Sequence, residues 1–227
     1  SAPGKWDNAV IANTARAPVA QGNVSLYNLT IDESATMDLA SFSLALYGVM
    51  SNNGTLKLDG NQSFNLVNPF DTNSGKILYA GAGEYLSLNL GNTYWDIEFN
   101  GSGIWQLGAG LNVGRNFILT NGTVNTGSSY GMTIAGAMSM GGGILNLNSS
   151  SLSAASITQS GGTISGVSPV ITATSGNISV DNVSASGALQ LIANNGAIEE
   201  NGSDAEADIT APTAVLTGAN GVSGDTS

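Results

Sequence analysis

With 227 residues, 41% of them hydrophobic, the chain can bury a sizeable core, yet only 9% are charged, so Asn, Ser and Thr must coat its surface. The net charge of −11, with every basic residue at or before Arg115, opposes phosphate backbones and anionic lipid, which argues against nucleic-acid and membrane-surface partners. The lack of Cys and His excludes Cys and Ser-His-Asp nucleophiles and His/Cys zinc sites, and no apolar run reaches the ~18 residues of a spanning helix.

Residues 1–22 are the least patterned, with Pro3, Pro18 and several Ala, and read as an N-terminal arm or cap on whatever follows. Strand patterning starts at Asn23. Val24, Leu26, Asn28 and Thr30 alternate with Tyr27, Leu29 and Ile31, and the pairs Met37/Leu39, Leu44/Leu46 and Leu56/Leu58 continue at period two. Asn52-Asn53-Gly54 and Asp59-Gly60 punctuate them as turns. Residues 64–93 are looser and read as an elaborated rung or a lateral insertion. In Tyr94-Trp95-Asp96-Ile97-Glu98-Phe99 the alternation puts Trp95, Ile97 and Phe99 on one face and leaves Tyr94 exposed on the other.

The second half is governed by a recurring motif of Gly, a small residue and an aliphatic one. It reads Gly122-Thr123-Val124, Gly143-Ile144-Leu145, Gly162-Thr163-Ile164, Gly176-Asn177-Ile178 and Gly196-Ala197-Ile198, at spacings of 21, 19, 14 and 20, with an earlier copy at Gly54-Thr55-Leu56. A second track runs beside it through Leu111-Asn112-Val113, Met132-Thr133-Ile134 and Leu152-Ser153-Ala154. A unit this short cannot bury a core alone and must stack on copies of itself. The expected fold is therefore all-β: a parallel β-helix, or β-solenoid, for which a right-handed coil is the general expectation. Eight or nine rungs of roughly 20 residues would make a rod of roughly 40 Å. After Tyr130 no aromatic residue remains, so the division is an arm at 1–22, aromatic-containing rungs over 23–168 and slimmer rungs over 169–227. Asn220-Gly221-Val222 reads as one more rung beginning, the pattern of an excerpt from a longer protein.

Two stretches carry a family resemblance. Tyr27 to Ile31 through Asn52 to Leu58, with Phe99 to Trp105, resembles the repeats of large bacterial surface and autotransporter-like β-solenoid proteins. Ile171 to Val222 is similar to repeats of the filamentous haemagglutinin family, best over Gly176–Ser186 and Leu189–Ile198. The resemblance implies export to the cell surface and a structural or adhesive function, as a fibre subunit associating head to tail or as a segment within further repeats. It carries over no catalytic motif, and the chain is expected not to be an enzyme.

Candidate sites follow from residue chemistry. Polysaccharide-degrading β-helices need clustered acids, about 5–9 Å apart for hydrolysis; here Asp32, Glu33 and Asp38, or Asp96 and Glu98, are the early clusters, with Lys57 brought near only by stacking. Tyr94 and Trp105 are candidates for glycan contact, Tyr94 the more exposed, while Trp95 reads as core. No cofactor is implied, although the acidic run containing Glu199, Glu200, Asp204, Glu206 and Asp208 offers oxygen ligands for calcium; a plain polar loop is the simpler reading. Ten Asn-x-Ser/Thr sequons stand at Asn23, Asn28, Asn53, Asn61, Asn100, Asn121, Asn148, Asn177, Asn182 and Asn201. They permit glycosylation and, first of all, supply turn chemistry.

Overall fold

The computed structural model describes residues 4–127, 129–202 and 207–224. Among these, every regular element is a β-strand and every paired strand is parallel to its neighbour, which lies about one 20-residue turn away. The chain is a β-solenoid of about 11 turns. Strands stacked at roughly 4.8 Å give such a coil a length of ~50 Å. The excess over eight or nine rungs arises where the glycine motif is missing, at residues 8–38 and in the loose stretch around 64–93.

Each turn visits three faces. One face is unbroken along the stack, from Thr36–Asp38 through Thr55–Leu58, Lys76–Tyr79 and the long strands Asp96–Gln106, Phe117–Asn125, Ala137–Asn148 and Ser156–Gly166 to Val222–Ser223. We call it the spine. The approach face precedes it in each turn: Asn8–Ile11, Asn28–Ile31 and Met50–Asn52 at one end, then Thr93–Tyr94 through Leu111–Val113 and Met132–Ile134 to Thr213–Gly218. The return face begins with Val24–Leu26, Leu44–Leu46 and Phe64–Leu66 and continues in the second halves of the long strands. Between Val167 and Ile178 the long bent strands give way to separate short ones, Ile178–Val180 and Val183–Ala185, while the spine continues.

The face division explains the irregular motif spacing. Gly122, Gly143 and Gly162 stand at the bend from spine to return face, with φ of 81°, 75° and 77°. There the strand turns a corner without leaving the sheet, a conformation that side chains with a Cβ resist. Gly54, Gly176 and Gly196 instead lie at the other corner, from approach face to spine, where the chain passes close over the turn below: a Cβ at Gly196 would sit 2.2 Å from the Gly176 carbonyl oxygen. One apparent motif therefore marks two corners. The interval of 14 between Gly162 and Gly176 is the step from one corner to the next.

Residues 4–22 form the first described turn and stack on the one that follows. Asn8–Ile11 pairs in register with Asn28–Ile31, and Val19 bridges Asp38 on the spine. In the loose turn the spine and the return face keep their backbone ladders, and the approach face has none among the described residues. There side chains substitute for one: the Asp71 carboxylate accepts the Asn52 amide N–H at 2.8 Å, and the Ser74 hydroxyl donates to the Asn52 carbonyl at 2.9 Å. This turn is an elaborated rung, one of the two readings open for it.

Alternation sends one side chain in two inward, and the core is a continuous column from Leu26 to Ile198. Its widest part is aromatic. Phe99 lies 5.4 Å from Tyr79, 5.2 Å from Trp105 and 5.7 Å from Phe117, ring centre to ring centre. The Tyr79 and Tyr94 hydroxyls meet at 2.9 Å, Tyr94 donating onward to the Gly91 carbonyl. Burial pushes both phenols well above the usual tyrosine range, since a phenolate in this core would be desolvated. The unfolded chain releases these protons near pH 10 and the folded chain holds them, so stability is complete below about pH 10 and falls as pH rises beyond it. Tyrosinate absorbance from Tyr79 and Tyr94 should accordingly appear only together with loss of β circular dichroism. A single smooth titration with the fold intact would contradict the buried pair.

Candidate functional site

The two residues expected to touch glycan are both in the core. Tyr94 and Trp105 are 0% exposed, and Tyr85 stacks on Trp105 with ring centres 5.6 Å apart. Trp95, read as core, is the residue left half-exposed. The reason is the corner. Tyr94 ends the approach-face strand Thr93–Tyr94, and Asp96 opens the spine strand Asp96–Gln106. Inside that strand the alternation holds, with Ile97, Phe99 and Trp105 inward, but its parity does not carry across the one-residue turn at Trp95.

Around Trp95 a polar groove runs along this corner, with a cavity volume of 780 Å³. It spans five successive turns, from Asp32 and Glu33 at one end to Arg115 and Asn116 at the other. Corner length creates it. In the first of these turns the chain needs residues 32–35 to pass from approach face to spine, held by the Ala35 amide on the Asp32 carbonyl at 3.0 Å, with Ser34 at φ 62°. The fifth uses Gly114, Arg115 and Asn116. The intervening corners are Asn53-Gly54, Gly75 and Trp95, short enough to stay recessed.

The far end is built around Asp96. Its carboxylate is 5% exposed and receives Arg115 Nε at 2.9 Å, Arg115 Nη2, and the Asn116 amide N–H at 2.9 Å. The paired carboxylate raises the Arg115 pKa above its ordinary value, first through the hydrogen bonds and then through charge. Arg115 therefore stays a fixed cation. Its guanidinium carbon lies 6.0 Å from the Trp95 ring centre, and the ring rests on Gly114, where a Cβ would come within 2.7 Å of Trp95 Cε3. The Arg115 side chain is 56% exposed, and its Nη1 has no partner among the described residues. Arg115, Asn116 and Gly114 escaped sequence reasoning, although the interval of 19 from Asp96 to Arg115 is one turn and would have pointed to the pair.

The acids considered for catalysis are mostly neutralised by the same one-turn logic. Lys57 meets Asp38 at 2.7 Å and Lys76 meets Glu98 at 2.6 Å, each bridging adjacent turns of the spine. Stacking does bring Lys57 to an acid, as an ion-pair partner. Asp32 and Glu33 carry no side-chain hydrogen bond or ion pair among the described residues and face the groove.

Several sequon asparagines serve as ties between turns. The Asn23 and Asn28 carbonyl oxygens accept the Ser43 and Val49 amides, Asn177 accepts the Ala197 amide at 3.0 Å, and Asn201 donates to the Gln159 carbonyl. Asn121 accepts the Gly122 amide at its own bend, and Asn148 adopts φ 50°. Only Asn121 and Asn148 act as turn residues; the other four tie one turn to another, and Asn53, Asn61, Asn100 and Asn182 lie exposed. In the acidic run, Glu199 and Glu200 lie on the strand Ile198–Glu200, Glu199 accepting from Asn177 at 3.0 Å, and Asp208 precedes Ile209–Thr210. Asp204 and Glu206 lie outside the described residues. No group of three or more acids gathers into a metal-binding cluster among the described residues, nor is any helix long and apolar enough to cross a membrane.

Set against protein-family models, curated proteins and solved structures, the chain matches none of them. Fold and groove are therefore interpreted from their own geometry.

Proposed function

We propose that this chain is a structural, non-catalytic rod of a bacterial extracellular adhesin, of the kind its resemblance to filamentous haemagglutinin repeats implies. The observation that carries the reading is the unbroken spine. Among the described residues the strand ladders join each turn only to the turns before and after it, so the fold extends in one dimension and holds its flank at a distance from whatever anchors it. Spending three of the five basic residues on ties between adjacent turns supports the same reading, because those pairs stiffen the stack and leave few charged groups for acid–base work. Ala9 and Ile11 on the first described turn, and Leu216 and Val222 on the last, stand in register with buried core residues yet are only partly covered, which favours axial contact with further turns, from a longer chain or a second copy.

Electron microscopy of the purified chain across salt and calcium conditions tests this. Short uniform rods of ~50 Å are expected of a segment, and regular filaments of the same width if copies join end to end. Globular or irregular particles would overturn the rod. Turnover of a polysaccharide by the intact chain would overturn its non-catalytic character.

A further inference from the structure

We propose that the groove along the Asp32–Arg115 corner is a binding site for a neutral linear glycan, seated on Trp95 and laid parallel to the rod. The inference rests on the rod reading for its setting and adds a ligand class and a site to it.

Three observations select that class. The first is shape. Five stacked corners span four spacings of about 4.8 Å, or ~19 Å, a long open trough suited to an extended chain of several sugar rings. Its volume of 780 Å³ falls in the usual range for ligand sites.

The second is the Trp95 face. It is half-exposed, with Gly114 packed against it and the Arg115 guanidinium over the ring, so a pyranose lays its C–H face against the part of the indole that Arg115 leaves uncovered. Arg115 Nη1 and Asn116 Nδ2 are available as donors beside the ring, while Asp32 and Glu33 are available as acceptors at the other end. Sugar hydroxyls use both kinds.

The third is what the groove lacks. Its two cations are already matched, Lys76 by Glu98 and Arg115 by Asp96, and Asp32 and Glu33 add net negative charge. An anionic polysaccharide would be repelled. A peptide strand is disfavoured because the carbonyls of the floor are used by the coil: the Gly54 carbonyl accepts the Lys76 amide, the Gly75 carbonyl the Asp96 amide and the Trp95 carbonyl the Arg115 amide.

The test is isothermal titration of the intact chain with cellohexaose, maltohexaose and mannohexaose, their disaccharides, and a heparin-derived hexasaccharide. At least one neutral hexasaccharide is expected to bind saturably, with Trp95→Ala weakening it about tenfold or more and Trp95→Tyr retaining most of the affinity. Glu33→Ala, at an exposed position that holds no partner, should weaken the hexasaccharide and leave the matching disaccharide unchanged, because only the longer chain reaches from Trp95 to that end. No saturable binding by any neutral probe at millimolar concentration would overturn the proposal. So would an affinity untouched by Trp95→Ala or by Glu33→Ala, or binding of the heparin fragment alone. Electron micrographs of the same variants separate the two readings: rods without binding sink the groove and leave the rod standing.

Discussion

Phe99→Ala will lower the unfolding free energy by about 3–5 kcal/mol, the largest loss expected from any single truncation in the core. Phe99 is fully buried at the point where the turns are widest, and its ring touches Tyr79 in the turn before it, Phe117 in the turn after and Trp105 in its own. Removing it opens a cavity that three large rings on a rigid β-frame cannot collapse to fill. In a coil whose strand ladders join each turn only to its neighbours, the damage should also be local. Hydrogen exchange should lose protection first across residues 76–125, while Ile178–Val180 and Ile198–Glu200 stay protected. Phe99→Leu should recover much of the loss. A Phe99→Ala chain with an unchanged urea midpoint would mean that the aromatic stack does not hold these turns together. Trp105 offers a contrast in the same cluster, since its buried indole N–H has no hydrogen-bond partner. Trp105→Phe relieves that orphaned donor while keeping a ring in place, so it should cost far less than Phe99→Ala.

Gly143→Val is expected to cost about 3 kcal/mol or more, as strain at a positive φ adds to a clash with backbone that cannot move aside. At φ 75° the residue turns the strand Ala137–Asn148 from spine to return face, and an added Cβ would stand 2.6 Å from the Gly122 carbonyl oxygen in the turn below. Two residues earlier, Gly141 has open space around its Cβ position and no positive φ. Gly141→Ala should change the melting temperature little, within about 0.5 kcal/mol in free energy. The pair isolates backbone geometry from composition, since both changes remove a glycine from the same strand. Equal melting temperatures for the two variants would refute the corner assignment.

The amino-acid sequence by itself determined the architecture. A unit of about 20 residues with period-two apolar pairs has too little surface to fold alone, so stacking follows from the burial of apolar area whatever the details. Aliphatic positions such as Leu152, Ala154 and Ile178 are therefore assigned to a parallel coil by the pattern alone. Turn chemistry was legible at Asn121, whose side chain accepts the next residue's amide, whereas the bonds of Asn28 and Asn177 run to the following turn.

Only the tertiary structure decided which side chains face out at a corner, and the candidate site is made of corners. Alternation is a rule about a straight strand. At Trp95 the chain bends by one residue and resets the parity, sending Tyr94 into the core and the indole to solvent. The groove itself depends on the relative lengths of five corners about 20 residues apart, and Asp96 meets Arg115 only because one turn lies on the next. Local sequence encodes the turn. The alignment of one turn upon another, set by the ladder and the packing of the column inside it, brings distant residues to one surface.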